Sequence, residues 1–179
     1  MTDRLFFAAF PDPLTAERIA QLAERQRDIL DLRGKTLTPG RFHITLNHLG
    51  DYPALPADVV AAATQAGAAV AFAPFEVAFD RVESFFKRSG GRPFVLRGGA
   101  GLDRLLAFQR ALGAAMGKAG LGKHVERSFT PHVTLLYDDQ MIAALPVEAI
   151  GWTVREFVLV HSLLGQTQHV PLARWALAG

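Results

Sequence analysis

Cysteine is absent from all 179 residues. That excludes disulfides, thiolate nucleophiles and Cys-type zinc sites together. Long hydrophobic runs are missing as well. No stretch of about 18 uninterrupted apolar residues occurs, so no transmembrane helix is expected. Met1-Thr2-Asp3-Arg4, followed by a short apolar run ending at Pro11, lacks the form of a signal peptide. A cytoplasmic protein with no membrane partner is expected. No Gly/Ser-rich linker divides the chain, and half of its residues are apolar. One domain over 1–179 can therefore bury a substantial core.

Acidic residues are scarce in particular places. The formal net charge is only +2, too small to argue for a nucleic-acid partner by itself. Yet Leu32 to Gly50 contains no acid while carrying Arg33, Lys35 and Arg41. Ser84 to Leu102 carries Lys87, Arg88, Arg92 and Arg97, and Leu105 to Val125 carries Arg110, Lys118 and Lys123, again without acids. Gathered on one side, these windows would attract a polyanion. Left apart, they are solvated basic loops.

One phrase is written twice. Phe42-His43-Ile44-Thr45-Leu46 and Pro131-His132-Val133-Thr134-Leu135 both contain His-apolar-Thr-Leu, half a chain length apart. Two such copies would arise in a shuffled chain of this composition on the order of once in a thousand. In a regular strand, residues i and i+2 share a face. His43 therefore shares a face with Thr45, and His132 with Thr134. Continued regularly, the same alternation puts Asn47 on the His43 face, His48 on the opposite face, and Leu136 on the His132 face.

Periodicity and turn residues sketch the surroundings. A buried strand over Leu5–Phe10 ends at Pro11-Asp12-Pro13. An amphipathic helix follows and closes near Gly34, and the first motif strand runs to about Leu49. Gly50–Pro56 is a loop, 57–70 a second helix, Phe75–Phe86 a strand. Ser89-Gly90-Gly91 turns into a short strand at Phe94–Arg97. A helix from Leu102 to about Met116 precedes the second motif strand, Pro131–Tyr137. Two more strands are expected at Thr153–Leu163 and His169–Leu177. The pattern implies an α+β fold of two related lobes facing each other across a cleft, each bringing one motif strand to the centre.

Two imidazoles and two hydroxyls around one phosphorus suit a 2′,3′-cyclic phosphodiester. Its hydrolysis needs a base to take a proton from water and an acid to protonate the departing ribose oxygen. Histidine does both because its ordinary pKa, about 6.5, lies near cellular pH. Thr45 and Thr134 would donate to the phosphoryl oxygens. His132 is expected as the base and His43 as the acid, although the near-symmetry of the motifs leaves the roles exchangeable. No metal or other cofactor is expected, because neither motif brings a carboxylate to its own face and zinc wants three or four ligands. His48, His124, His161 and His169 have no companion pattern and read as structural or exposed. Gly117–His124 nearly matches a phosphate-binding P-loop. However, His124 stands where Ser or Thr must bind magnesium, and the segment follows a helix instead of linking a strand to one. Gly98-Gly99-Ala100-Gly101 lacks the third glycine of a dinucleotide fingerprint.

At these motifs the chain resembles the two-histidine (2H) phosphoesterase superfamily, especially its RNA 2′,3′-cyclic phosphodiesterase branch, often labelled 2′-5′ RNA ligase. The resemblance extends over Arg4–Ala8, Arg41–Leu46 continuing to Leu49-Gly50, Phe129–Leu135 and Leu159–Leu164. It implies a bilobal α+β fold, a pseudo-twofold pair of intertwined antiparallel-sheet-plus-helix lobes around a central cleft, with catalytic His43 and His132, substrate contacts from Thr45, Thr134, Arg41, Arg127, Phe129 and Tyr137, and a monomer needing no cofactor. The implied partner is RNA ending in 2′,3′-cyclic phosphate, converted to a 2′-phosphate, with reversible ATP-independent 2′-5′ joining as a related reaction. Many members place an arginine shortly after the second motif, where this chain has Leu136-Tyr137-Asp138. Tyrosine can donate one hydrogen bond or stack on a base but cannot neutralise phosphate. A small cyclic nucleotide therefore remains an alternative substrate, as does an RNA-binding module with little catalysis.

Overall fold

The computed structural model describes residues 2–88, 90–163 and 168–179. Ser89 of the expected turn and Leu164 of the closing segment lie outside them. In chain order the elements are β1 (Asp3–Ala9), α1 (Pro13–Ile29), β2 (Ile44–Tyr52), α2 (Ala57–Ala68), β3 (Phe75–Ser84) and β4 (Arg92–Arg97). Then follow α3 (Asp103–Lys118), β5 (His132–Asp138), β6 (Leu145–Val154), β7 (Glu156–Leu163) and β8 (Gln168–Ala176). Single 3₁₀ turns occupy Pro39–Arg41 and Gly122–His124.

The strands form two four-stranded antiparallel sheets, ordered β2-β1-β7-β8 and β5-β4-β3-β6. This is the α+β class expected from the alternation of helices and strands. The β1-α1-β2 run has its counterpart in β4-α3-β5, and each ends in a motif strand at the edge of its sheet. The sheets do not coincide with the sequence halves, however. β3 belongs with the second motif, while β7 and β8 return to pair beside β1. The helices cross over too: α1 leaves β1 but packs on β5 and β6, and α3 leaves β4 but touches both β3 and β2.

Local chemistry accounts for the elements. Asp12 caps α1 by accepting from the Thr15 amide at 2.9 Å and the Thr15 hydroxyl at 2.7 Å, and Pro13 supplies a helix-ready φ in the first turn. Thr15, Ala16, Ile19, Leu22 and Ala23 form its buried stripe. The helix stops at Ile29 instead of near Gly34, and Asp31 takes a left-handed φ of 50° just beyond it. Gly34 serves another purpose. A Cβ there would lie 2.0 Å from the Tyr137 carbonyl oxygen, so only glycine lets this loop lie on β5. The Arg33 and Gly34 amides also donate to the buried Asp138 carboxylate at 2.6 and 2.7 Å.

One strand differs from expectation. The segment read as a single strand, Thr153–Leu163, is the end of β6 and all of β7, interrupted at Arg155. β6 begins eight residues earlier than expected, at Leu145, and forms the outer edge of its sheet. Pro146 and Glu148 break its hydrophobic alternation, and an edge strand tolerates both because one side needs no partner.

A single core joins the helix-facing sides of both sheets. Phe7, Phe42, Phe79, Phe94, Phe108 and Phe157 are fully buried in it. Each such side chain contributes roughly 1.5–3 kcal/mol by leaving water. A much smaller apolar cluster, Phe6, Ala8, Val158 and Val160 with Phe10 against it, lies on the other face of the first sheet. That second face carries His43 and Thr45.

Candidate active site

His43 sits immediately before β2 and His132 opens β5. Both rings are half-buried and held in the same way. His43 Nδ1 lies 2.7 Å from the Arg41 carbonyl oxygen, and His132 Nδ1 lies 2.8 Å from that of Thr130. A carbonyl only accepts, so each Nδ1 carries a proton and each Nε2 is the nitrogen left for chemistry. The carbonyl belongs in each case to the residue two positions earlier, so the motif itself fixes ring orientation and tautomer.

The rings meet different neighbours. Phe6 stacks on His43 with centroids 5.1 Å apart, Phe10 tilts against it at 5.7 Å, and His169 presents an edge at 5.1 Å. His132 meets the edge of Phe85 at 4.8 Å, and Arg97 lies over that phenyl ring at 5.8 Å while pairing with Glu83. Burial pushes the His43 pKa down to about 4, helped by the positive charges of His169, His132 and Arg41 and opposed by the Arg41 carbonyl. His132 is also lowered by burial and by Arg97, with the Thr130 carbonyl opposing. Burial and Arg41 lower His169. The two motif imidazoles are thus close enough for the charge on one to disfavour charge on the other, although their strands belong to different sheets.

Bulges alter the expected faces. In β2, Thr45 pairs with Ala8, Asn47 with Phe7, His48 with Phe6, Gly50 with Leu5 and Asp51 with Arg4, leaving Leu46 and Leu49 as extra residues. Each extra residue reverses the alternation. Asn47 therefore turns into the interior, 1% exposed, where its side-chain oxygen accepts from the Glu126 amide at 2.9 Å. His48 turns onto the His43 face, the reverse of the regular-strand expectation, and bonds Asp51 at 3.0 Å. A bulge at Leu135 does the same in β5. Leu136 is fully buried, and Tyr137, 49% exposed, lies on the His132–Thr134 face.

The remaining expected residues divide. Thr45 and Thr134 are half-buried beside their histidines on the open faces. Arg41 is close enough to act on both His43 and His169, and its Nε is buried with no partner among the described residues. Arg127 is exposed in the loop before β5, and no described contact ties it to either imidazole. Phe129 is half-buried and packs against the main core. His169, read from the sequence as structural or exposed, is the third imidazole of the site. Phe6, Phe10, Phe85 and Arg97 also belong to it and were not among the expected contacts. Arg97 pairs across the strands with His132, and His169 with Ser162 of β7. Only strand order and register bring these residues in; Arg97 alone was hinted at by its basic window. Among the described residues, no three His, Asp or Glu side chains are grouped to share a metal ion, and no helix is long and apolar enough to cross a membrane.

A family model described as the 2′-5′ RNA ligase superfamily matches residues 10–166. The RNA 2′,3′-cyclic phosphodiesterase of Escherichia coli K12 is 42% identical over 55 residues, which span 28% of this chain and 31% of that protein. The crystal structure of E. coli LigT in apo form superposes with a TM-score of 0.73 and 26% identity, covering 99% of both chains. The TT0787 protein of Thermus thermophilus superposes at 0.75 with 22% identity over 97% of both chains, a likeness of fold.

Proposed function

This chain belongs to the 2′-5′ RNA ligase superfamily, and on that premise we propose that it hydrolyses RNA 2′,3′-cyclic phosphate ends to 2′-phosphates by two-histidine acid–base catalysis without a metal. The observation that carries this reading is the pair of imidazoles from separate sheets, each with Nδ1 tied to a carbonyl and Nε2 left for chemistry. The name of the partly matching E. coli protein supports the substrate class.

The electrostatics favour exchanging the roles expected from sequence. His43 has the more enclosed ring and the pKa of about 4, so it is neutral near pH 7 and suits the base. Its Nε2 takes a proton from water as the water oxygen attacks phosphorus. The P–O3′ bond breaks on the far side, and O3′ receives the proton of His132 Nε2. Thr45 and Thr134 hydroxyls, with the Arg41 guanidinium, donate to the phosphoryl oxygens as negative charge gathers there. An anionic phosphate between the rings favours their charged forms, so substrate binding itself promotes protonation of His132. Tyr137, exposed on the His132 face, would stack on a base or donate to it in this reading.

The test is incubation with a synthetic oligonucleotide ending in 2′,3′-cyclic phosphate, with the end formed read by mass and phosphatase sensitivity. His43→Ala and His132→Ala should each lower kcat by about 10²–10⁴. Near-wild-type turnover in both variants refutes the mechanism. Binding to RNA without the cyclic end, steeply salt-dependent and with no turnover, would instead identify an RNA-binding module.

A further inference from the structure

Both motif strands carry their first bulge at the same place. The extra residues are Leu46, the third after His43, and Leu135, the third after His132. A bulged residue steps out of its ladder, so its backbone groups can bond elsewhere. The Leu135 carbonyl accepts from the Leu37 amide at 2.8 Å. The Leu46 carbonyl faces the side-chain amide of Gln109 on α3, at 3.5 Å. In each strand the bulge marks where a loop from elsewhere in the chain is tied down.

Polar side chains complete both ties. The Asp138 carboxylate, at the end of β5, accepts from the Arg33 and Gly34 amides at 2.6 and 2.7 Å. Gln140 Nε2 adds a bond to the Asp31 carbonyl at 2.9 Å. This loop runs on through the turn at Pro39–Arg41 to His43. On the other side, Asn47 Oδ1 accepts from the Glu126 amide at 2.9 Å. Gln109 Nε2 shares its hydrogens among the Glu126 carbonyl at 3.0 Å, Asn47 Oδ1 at 3.3 Å and the Leu46 carbonyl. Glu126 thus has both backbone groups engaged, in the loop that leads to His132. Asn47, Gln109 and Asp138 are 1%, 4% and 7% exposed. Polar side chains so enclosed are costly unless bonded, and these bonds are what they make there.

The ties are crossed. The strand that carries His132 holds the loop before His43, and the strand that carries His43, with Gln109, holds the loop before His132. Each loop supplies the carbonyl, of Arg41 or of Thr130, that fixes its own histidine at Nδ1. We propose that Asp138 and the Asn47–Gln109 pair are positioning residues acting crosswise: Asp138 aims His43, and the pair aims His132. Each imidazole is then registered against the other motif's strand and not against its own sheet alone. Two Nε2 atoms that serve opposite sides of one phosphorus need that mutual register, since a misplacement of about 1 Å can cost ~10²-fold in rate. None of the three touches the reacting atoms, and their weight in the reaction rests on the hydrolytic reading of the same histidines.

The experiment follows the Nδ1 protons of the two rings by NMR in nitrogen-15-labelled protein, assigned with His43→Ala and His132→Ala. Their exchange with solvent reads whether each carbonyl still holds its ring. Asp138→Ala should speed exchange at His43 at least ~10-fold while His132 stays within about threefold. Gln109→Met, which keeps the side chain's length and bulk, should do the reverse. On the cyclic-phosphate oligonucleotide each variant should lower kcat roughly 10-fold or more, with KM changed less than about threefold. Faster exchange at both rings, at neither, or at the opposite ring in each variant overturns the crossed arrangement. A lowered urea midpoint with both protons unmoved does so too, because it leaves these residues a purely structural role. If Asp138→Ala does not fold, Gln109→Met decides alone by the same comparison of rings. Crossed exchange with unchanged kcat removes the role in the reaction. If wild type does not hydrolyse the cyclic end at all, it is the hydrolytic proposal that fails, and the exchange rates still decide the positioning.

Discussion

His43 shows how a side chain's surroundings choose its chemistry. The sequence makes the two motif histidines look interchangeable, but enclosure by Phe6, Phe10 and His169 favours the neutral form of His43 more strongly. The acid limb of kcat/KM should therefore lie well below pH 6.5, because that profile reports the free enzyme. The kcat profile reports the complex, where the bound phosphate raises both histidines, so its optimum should sit at higher pH. Coincident optima would show that the rings do not sense the phosphate. His169→Asn removes a positive neighbour that lowers His43, and the acid limb should move upward. An unmoved limb would make His169 a packing residue only.

At the scale of the element, the reading of the sequence succeeded wherever period two held and failed where it did not. His43 with Thr45, and His132 with Thr134, stand before the first bulge of their strands, and their shared face was legible. Asn47, His48 and Leu136 stand beyond a bulge, and every one lies on the face opposite to that expected. Nothing in Leu46, Leu49 or Leu135 marks it as an extra residue, since leucine is also the ordinary occupant of a regular buried position. β6 was missed for a related reason: half-exposed edge strands do not advertise themselves by alternation. Gly34 likewise looks like a helix stop in sequence but is a contact point in space. Gly34→Ala should destabilise the protein by roughly 1–3 kcal/mol or more, since the new methyl meets β5 backbone and not a flexible side chain. A shift in the urea midpoint would show it; an unchanged midpoint would mean the loop moves freely off β5.

Across the whole molecule, the site depends on folding more than either motif reveals. His43, with an ordinary pKa near 6.5 in the unfolded chain and about 4 in the folded one, makes stability depend on pH. Above 6.5 both states are neutral and the contribution is constant. As pH falls from 6.5 towards 4 the unfolded chain takes up the proton first, so folding stability is lost, by at most about 3 kcal/mol and less where solvent reaches the ring. Denaturation midpoints at pH 7.5 and 4.5 should differ in this direction, and His43→Gln should flatten the slope. A slope as steep in the variant would place its origin elsewhere.

Arg155 is all that separates the last residue of β6 from the first of β7. One residue reaches only about 3.6 Å even fully extended, so at that corner the two halves are leashed almost without slack. Any change in the angle between the two sheets is therefore most restrained at that corner and least restrained at the opposite ends of the strands, near Tyr137 and Asp51. Lengthening that link by a few glycines should lower kcat on the cyclic-phosphate oligonucleotide under the proposed mechanism while leaving both imidazoles in place, and an unchanged kcat would show that the corner does not set their approach.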